Sequence, residues 1–180
     1  MKKLIVLCLL SSNLVAQELS EFDINWQNEK ECLAINLYHE ARSESMAGIV
    51  SVAMVVINRT KSAKFPNNIC DVVQQGPLRE SWKTSRYPDI PDSMRIFYPI
   101  RGKCHFSWWC DGKDDTPLEE ESYKRMLDIS EKLLEDMFII DITEGADHYF
   151  ATWIDVEPQW AKHMTYVGTI DNHKFYKSIN

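Results

Sequence analysis

The sequence predicts an α+β fold, mainly helical with a small antiparallel β element near the C-terminus. Three stretches carry that expectation. Residues 31–59 hold two helix-like runs separated by a short polar break, and residues 116–137 read as one amphipathic helix. The last third turns to short β-prone runs, with residues 165–170 and 173–176 flanking Asp171-Asn172 as a hairpin. Helices first and strands late, with no internal repeat, point to α+β organisation.

Residues 1–16 place Lys2 and Lys3 before a short apolar block, Leu4 to Leu10, and a polar stretch ending Leu14-Val15-Ala16. That is the layout of a secretory signal peptide cleaved after Ala16, and its apolar block is too short to span a bilayer. Residues 17–180 then suffice for one domain with a full core. Loss of Lys2 and Lys3 takes the formal charge from −7 to −9, which argues against a nucleic-acid partner held by phosphate neutralisation. No later apolar run is long enough for a membrane helix, so no membrane anchor is expected after cleavage. Four cysteines remain, Cys32, Cys70, Cys104 and Cys110, and an even count in an exported chain predicts two disulfides. Three pairings are possible; the five residues between Cys104 and Cys110 allow a tight loop and make that pair the first choice, which leaves Cys32 for Cys70. Zinc is the competing use of these thiols, but no CxxC pair occurs and export favours oxidation.

After a loose lead-in at residues 17–28, the first helix carries Leu33, Ala34, Leu37, Tyr38 and Ala41 on a broad apolar face. Asn36, His39 and Ser43 fall opposite. Glu40 sits at the edge, beside Leu33, Asn36 and Glu44, where a carboxyl is half desolvated yet reaches a cleft. Such a position raises its pKa towards the range a general acid uses. The plain alternative is a solvated glutamate paired with Arg42. In residues 46–57 only Gly48 and Ser51 are not apolar, which predicts a buried central helix and a rigid mount for its neighbour.

Residues 61–68 form a loop around Pro66, and residues 69–75 a short helix. Residues 76–101 scatter charges among Pro77, Pro88, Pro91 and Pro99, an irregular excursion expected to wall a binding cleft. Phe106, Trp108 and Trp109 follow between two cysteines, interleaved with His105 and Ser107. They are either core or a platform for the flat apolar faces of sugar rings. Thr116-Pro117-Leu118-Glu119 has a capping-box pattern, opening a helix with the stripe Leu118, Tyr123, Met126, Leu127, Leu134 and Met137. Residues 138–143 are strand-like, and Glu157-Pro158-Gln159-Trp160 forms a turn before the hairpin.

Several chemistries fail on inspection. His39-Glu40 begins like the zinc-protease motif HExxH, but Ser43 stands where the second histidine belongs. A cysteine nucleophile with His105, His148, His163 or His173 as base conflicts with oxidised cysteines. No glycine-rich phosphate loop is present. An acid at a carboxyl, aromatics for a sugar polymer and export combine most economically as glycoside cleavage.

Seven motifs carry a family likeness: LYHEAR at 37–42, INR at 57–59, FPNNICDVV at 65–73, CHFSWWCDG at 104–112, GADHYF at 145–150, PQWA at 158–161 and GTIDNHKFY at 168–176. Over residues 31–176 the chain resembles the SleB-type bacterial cell wall hydrolases. The resemblance implies a lysozyme-like or lytic-transglycosylase-like fold in the periplasm or medium, acting on peptidoglycan glycan strands without cofactor or metal. It implies Glu40 as the catalytic acid, with His105, Phe106, Ser107, Trp108, His148 and Tyr149 contacting substrate. The chain departs from the family pattern where His105 replaces glutamine, Asp147 replaces threonine and His39 replaces a small residue. The expected reaction cuts the β-1,4 bond between N-acetylmuramic acid and N-acetylglucosamine by the lytic route, which needs one carboxyl. Hydrolysis with Glu44, Asp111 or Asp147 as a second carboxylate is the alternative. The rival from another class is a non-catalytic peptidoglycan-binding envelope protein.

Overall fold

Helix α1, Glu29–Ala41, is the axis of the molecule. In the computed structural model, which describes residues 28–135 and 140–179, the Asn28 side chain caps α1 by accepting from the Lys30 N–H at 3.1 Å. Glu29 and Glu31 occupy the first turn, where the helix dipole favours them. Every residue from Cys32 to Tyr38 is buried, because α2 (Met46–Thr60), α3 (Ile69–Val73) and α5 (Glu120–Glu135) all pack on this helix. The polar face expected at Asn36 is therefore absent. Asn36 is fully buried, and its Oδ1 accepts from Trp108 Nε1 at 3.1 Å.

Helix α2 is the buried central helix its composition predicts, with Ile49, Val52, Ala53, Val55 and Val56 fully enclosed. Burial on all sides overrides the weak helix propensity of its β-branched residues. Ser45 caps it through the Gly48 N–H at 3.3 Å. Asn68 caps α3 in the same way, through Asp71 at 2.8 Å. The disulfides pair as expected: Cys32 with Cys70 joins α1 to α3, and Cys104 with Cys110 closes the aromatic loop. No thiolate is left for zinc or for nucleophilic attack among these four residues.

The excursion builds an arm of its own, in which β1 (Leu78–Glu80) pairs antiparallel with β2 (Phe97–Pro99) and α4 (Trp82–Ser85) lies between them in sequence. Two later expectations need correction. Helix α5 starts at Glu120, because the Thr116 hydroxyl and N–H are both taken by Asp114. Its entering N–H groups, those of Leu118 and Glu119, donate instead to the Tyr38 hydroxyl at 3.0 and 3.2 Å, and Leu118 is left 93% exposed. The buried stripe is Tyr123, Met126, Ile129 and Leu133, while Met137 lies outside the described residues. The strand expected over residues 138–143 does not form in the part described, residues 140–143. There Asp141 accepts from the N–H groups of Thr143 and Gly145, donors that a strand would give to a neighbour. The leader, the lead-in up to residue 27, and residues 138 and 139 lie outside the described residues.

The late strands are β3 (His148–Ala151), β4 (Met164–Ile170) and β5 (His173–Ser178), antiparallel in the order β3-β5-β4. The turn at Pro158 runs on into a 3₁₀ turn, Gln159–His163. Phe175 plugs this sheet into the helical core. The hairpin turn is bolted to the α1–α2 junction, where the Ser45 N–H donates to Asp171 at 2.8 Å and Asn172 Nδ2 to Glu44 at 3.1 Å. Gly48 permits this approach, since an added Cβ would stand 2.4 Å from the Asp171 carboxylate. The sheet is thus fastened to the α1–α2 junction.

Candidate active site

The end of α1 supplies His39 and Glu40, and the following turn Ser43 and Glu44. Arg59 comes from α2, His105 to Trp108 from the disulfide loop, Tyr149 from β3 and His173 from β5. Together with Trp153 and Ile154 they line a cleft of about 540 Å³.

Glu40 is half-buried in its wall. Its Oε2 accepts from the Tyr149 hydroxyl at 3.0 Å. Burial pushes the Glu40 carboxyl above its ordinary pKa, and the Tyr149 bond and the Arg59 charge offset only part of that rise. Burial and the neighbouring Glu40 charge hold Tyr149 well above 10, so it stays a neutral donor. Arg59 is 5% exposed. Its Nε donates to the Asp147 carbonyl at 2.7 Å, and its guanidinium lies 5.1 Å from the ring centres of both Phe65 and Phe106. Nη1 has no partner among the described residues. Burial lowers its pKa, yet an arginine keeps its charge in proteins. The cleft therefore holds the Glu40 carboxyl near a phenol and a fixed cation.

Of the residues expected to meet substrate, His105, Phe106, Ser107, Trp108 and Tyr149 share the cleft with Glu40. His105 and Ser107 are exposed on its rim. Phe106 and Trp108 are buried, so they are wall rather than open platform. The Trp108 face is stacked on His39 at 4.5 Å, and its N–H is committed to Asn36. His148 is not brought into the cleft: its Nδ1 bonds Asp147 at 2.8 Å and its ring packs on Trp160 and Phe65. Glu40 does not pair with Arg42, which donates to the Tyr38 carbonyl and faces Glu119.

The three acids considered as second carboxylates are also placed. Glu44 lines the cleft but is held by Asn172. Asp111 turns to Lys113. Asp147 accepts from the Ser178 N–H at 2.9 Å and bonds His148; burial works upward on it, but these bonds hold its pKa below the usual value. Sequence reasoning missed Arg59, Trp153 and His173 as cleft residues. An arginine ending an otherwise apolar helix was a signal for the first. Trp153, 67% exposed, follows a short strand and carried none.

A Cell Wall Hydrolase family model matches residues 43–176, beginning three positions after Glu40. A spore cortex-lytic enzyme of Bacillus cereus is 43% identical over 47 residues, which are 26% of this chain and 18% of that protein. The chain spans under one fifth of the length of this curated relative within the alignment. Among solved structures, the catalytic domain of the Bacillus cereus SleB protein matches 84% of this chain and 91% of its own, at 25% identity and a TM-score of 0.51. The catalytic domain of the germination-specific lytic transglycosylase SleB from Bacillus anthracis matches 84% and 95%, at 24% identity and a TM-score of 0.52. The α+β architecture is thus the lysozyme-like one of these domains. With most of its length under one family model, the chain belongs to the Cell Wall Hydrolase family.

Proposed function

We propose that the chain is a peptidoglycan lytic transglycosylase cutting the β-1,4 bond between N-acetylmuramic acid and N-acetylglucosamine, with Glu40 as acid and then base. The observation that carries this reading is the Glu40 carboxyl, enclosed in a cleft and bonded to Tyr149. Its raised pKa favours the protonated form needed for the first step. Protonated Glu40 gives its proton to the glycosidic oxygen, the C1–O bond breaks, and positive charge develops at C1. The carboxylate left behind is stabilised by the Tyr149 hydroxyl and the Arg59 cation. It then takes the proton of the muramic 6-hydroxyl, whose oxygen bonds C1 and closes a 1,6-anhydro ring. That hydroxyl is already tethered beside C1, which gives it a large advantage over water.

A non-catalytic peptidoglycan-binding protein would have no use for a phenol and a cation arranged around one buried acid. Hydrolysis is the second reading, favoured only by Glu44, which lines the same cleft. The names of the relatives, one cortex-lytic and one a lytic transglycosylase, support cleavage of a wall polymer. Two disulfides support export behind a leader at residues 1–16 to the periplasm or medium.

The test is the mass of muropeptide ends released from purified peptidoglycan. Wild-type protein is expected to yield anhydro-muramic ends, one water lighter than reducing ends. Glu40→Gln is expected to fold and release products roughly 10²–10⁴-fold more slowly, and Asp147→Asn to keep the same product type. Chiefly reducing ends, abolished by Glu44→Gln, would make the enzyme a muramidase.

A further inference from the structure

The arm at residues 76–103 leaves and rejoins the body at one point on the cleft rim. The His105 N–H donates to the Gln75 carbonyl at 2.9 Å, and Gly76 lies so near Cys104 that an added Cβ would meet its Cα and Sγ at 2.9 Å. Beyond that point Arg95 fastens the arm to itself, bonding Glu80 at 2.9 Å, Asp92 at 3.1 Å and the Pro88 carbonyl at 2.7 Å. The expectation that this excursion walls the cleft is thus corrected. Among the described residues, none from 76–103 lines the Glu40 cleft.

The arm instead has its own groove of about 500 Å³, where Trp82 and Tyr98 meet Arg79 and Lys83. Trp82 is 62% and Tyr98 56% exposed, and the Arg86 guanidinium lies 4.5 Å from the Trp82 ring centre. The segment is cationic. Residues 76–103 hold six Lys and Arg against three Asp and Glu, in a chain of net charge −7. Two of those three acids, Glu80 and Asp92, are neutralised by Arg95. Arg79 and Lys83 make no ion pair among the described residues.

We propose that this groove is a second binding site for the wall polymer, taking the carboxylate-bearing peptide stems of a strand whose sugars occupy the Glu40 cleft. The proposal rests on the peptidoglycan reading above. A net-negative protein is repelled by an anionic polymer except where it presents cations, so a cationic segment such as this one favours the approach. Arg79 and Lys83 pair with stem carboxylates, and Trp82 and Tyr98 offer flat apolar faces to the chain between them. The arm springs from the cleft rim at His105, so a strand held in the cleft that also meets the groove binds more tightly by effective concentration.

The experiment is co-sedimentation with insoluble sacculi, intact or stripped of stems by an amidase, using Glu40→Gln protein so that the polymer is not consumed. Thermal melting of each variant checks folding. In that background, Arg79→Gln with Lys83→Gln is expected to weaken binding to intact sacculi roughly tenfold, and binding to stem-free strands less than about twofold. Trp82→Ala, which leaves both charges, is expected to weaken binding to both polymers. Glu40→Gln protein that pellets with sacculi equally well with and without the arm changes overturns the arm's role alone. Failure of wild-type protein either to bind or to cut peptidoglycan overturns the wall-polymer reading, and this proposal with it. Arm-dependent binding to phosphatidylglycerol vesicles without any difference on sacculi overturns it in favour of a membrane surface.

Discussion

Among single residues, Tyr149 bears most directly on the role proposed for Glu40, since its hydroxyl donates to that carboxyl. A hydroxyl donating to a carboxylate stabilises the charged form, so its removal raises the Glu40 pKa further above the model-compound range. The limb of the rate profile on which protonated Glu40 disappears should therefore move to higher pH in Tyr149→Phe, measured as kcat/KM on soluble glycan. An unmoved limb would mean that the phenol does not act through Glu40. Glu40 was legible from sequence because one acid fell at the edge of an apolar helix face. Asn36 and Trp108 were not legible. A buried amide and a buried indole bonded to each other look, one residue at a time, like a polar face and a sugar platform. His148 lies outside the cleft lining because its ring packs on Phe65 and Trp160, contacts that no local pattern shows.

Among elements, long apolar or amphipathic runs were read correctly, and the errors gathered at their ends. The second helix, α5 and the late hairpin follow from periodicity and composition. The start of α5 does not, because its N–H groups are satisfied by Tyr38, 80 positions away in sequence. Tyr38→Phe is accordingly expected to cost about 0.5–2 kcal/mol, the usual worth of a cap. Thr116→Ala, the residue that local pattern would choose, should stay within about 0.5 kcal/mol. Urea unfolding of the two variants separates these outcomes, and the reverse order would restore the local capping box. The failed strand at residues 140–143 has the same logic, since one aspartate captured the N–H groups that pairing requires.

At the scale of the whole molecule, the two disulfides constrain very different lengths of chain. The Cys32–Cys70 bridge spans 38 positions and the Cys104–Cys110 bridge six. Opening the longer one in a Cys32→Ser, Cys70→Ser variant is expected to cost about 2–5 kcal/mol, and opening the shorter one less. Thiol titration of denatured, unreduced protein should find these four cysteines blocked. The pairing was legible only as a first choice among three, because spacing favoured one tight loop. The arm's separateness was not, because nothing local tells a wall from a projection. A last consequence lies in the bolt between the α1–α2 junction and the Asp171-Asn172 turn. It joins residues 126 and 128 positions apart in sequence, and His173 of the cleft wall lies just past it. A chain cut before residue 171 would lose this bolt and His173 of the cleft wall together, while the Cys32–Cys70 bridge would still tie α1 to α3.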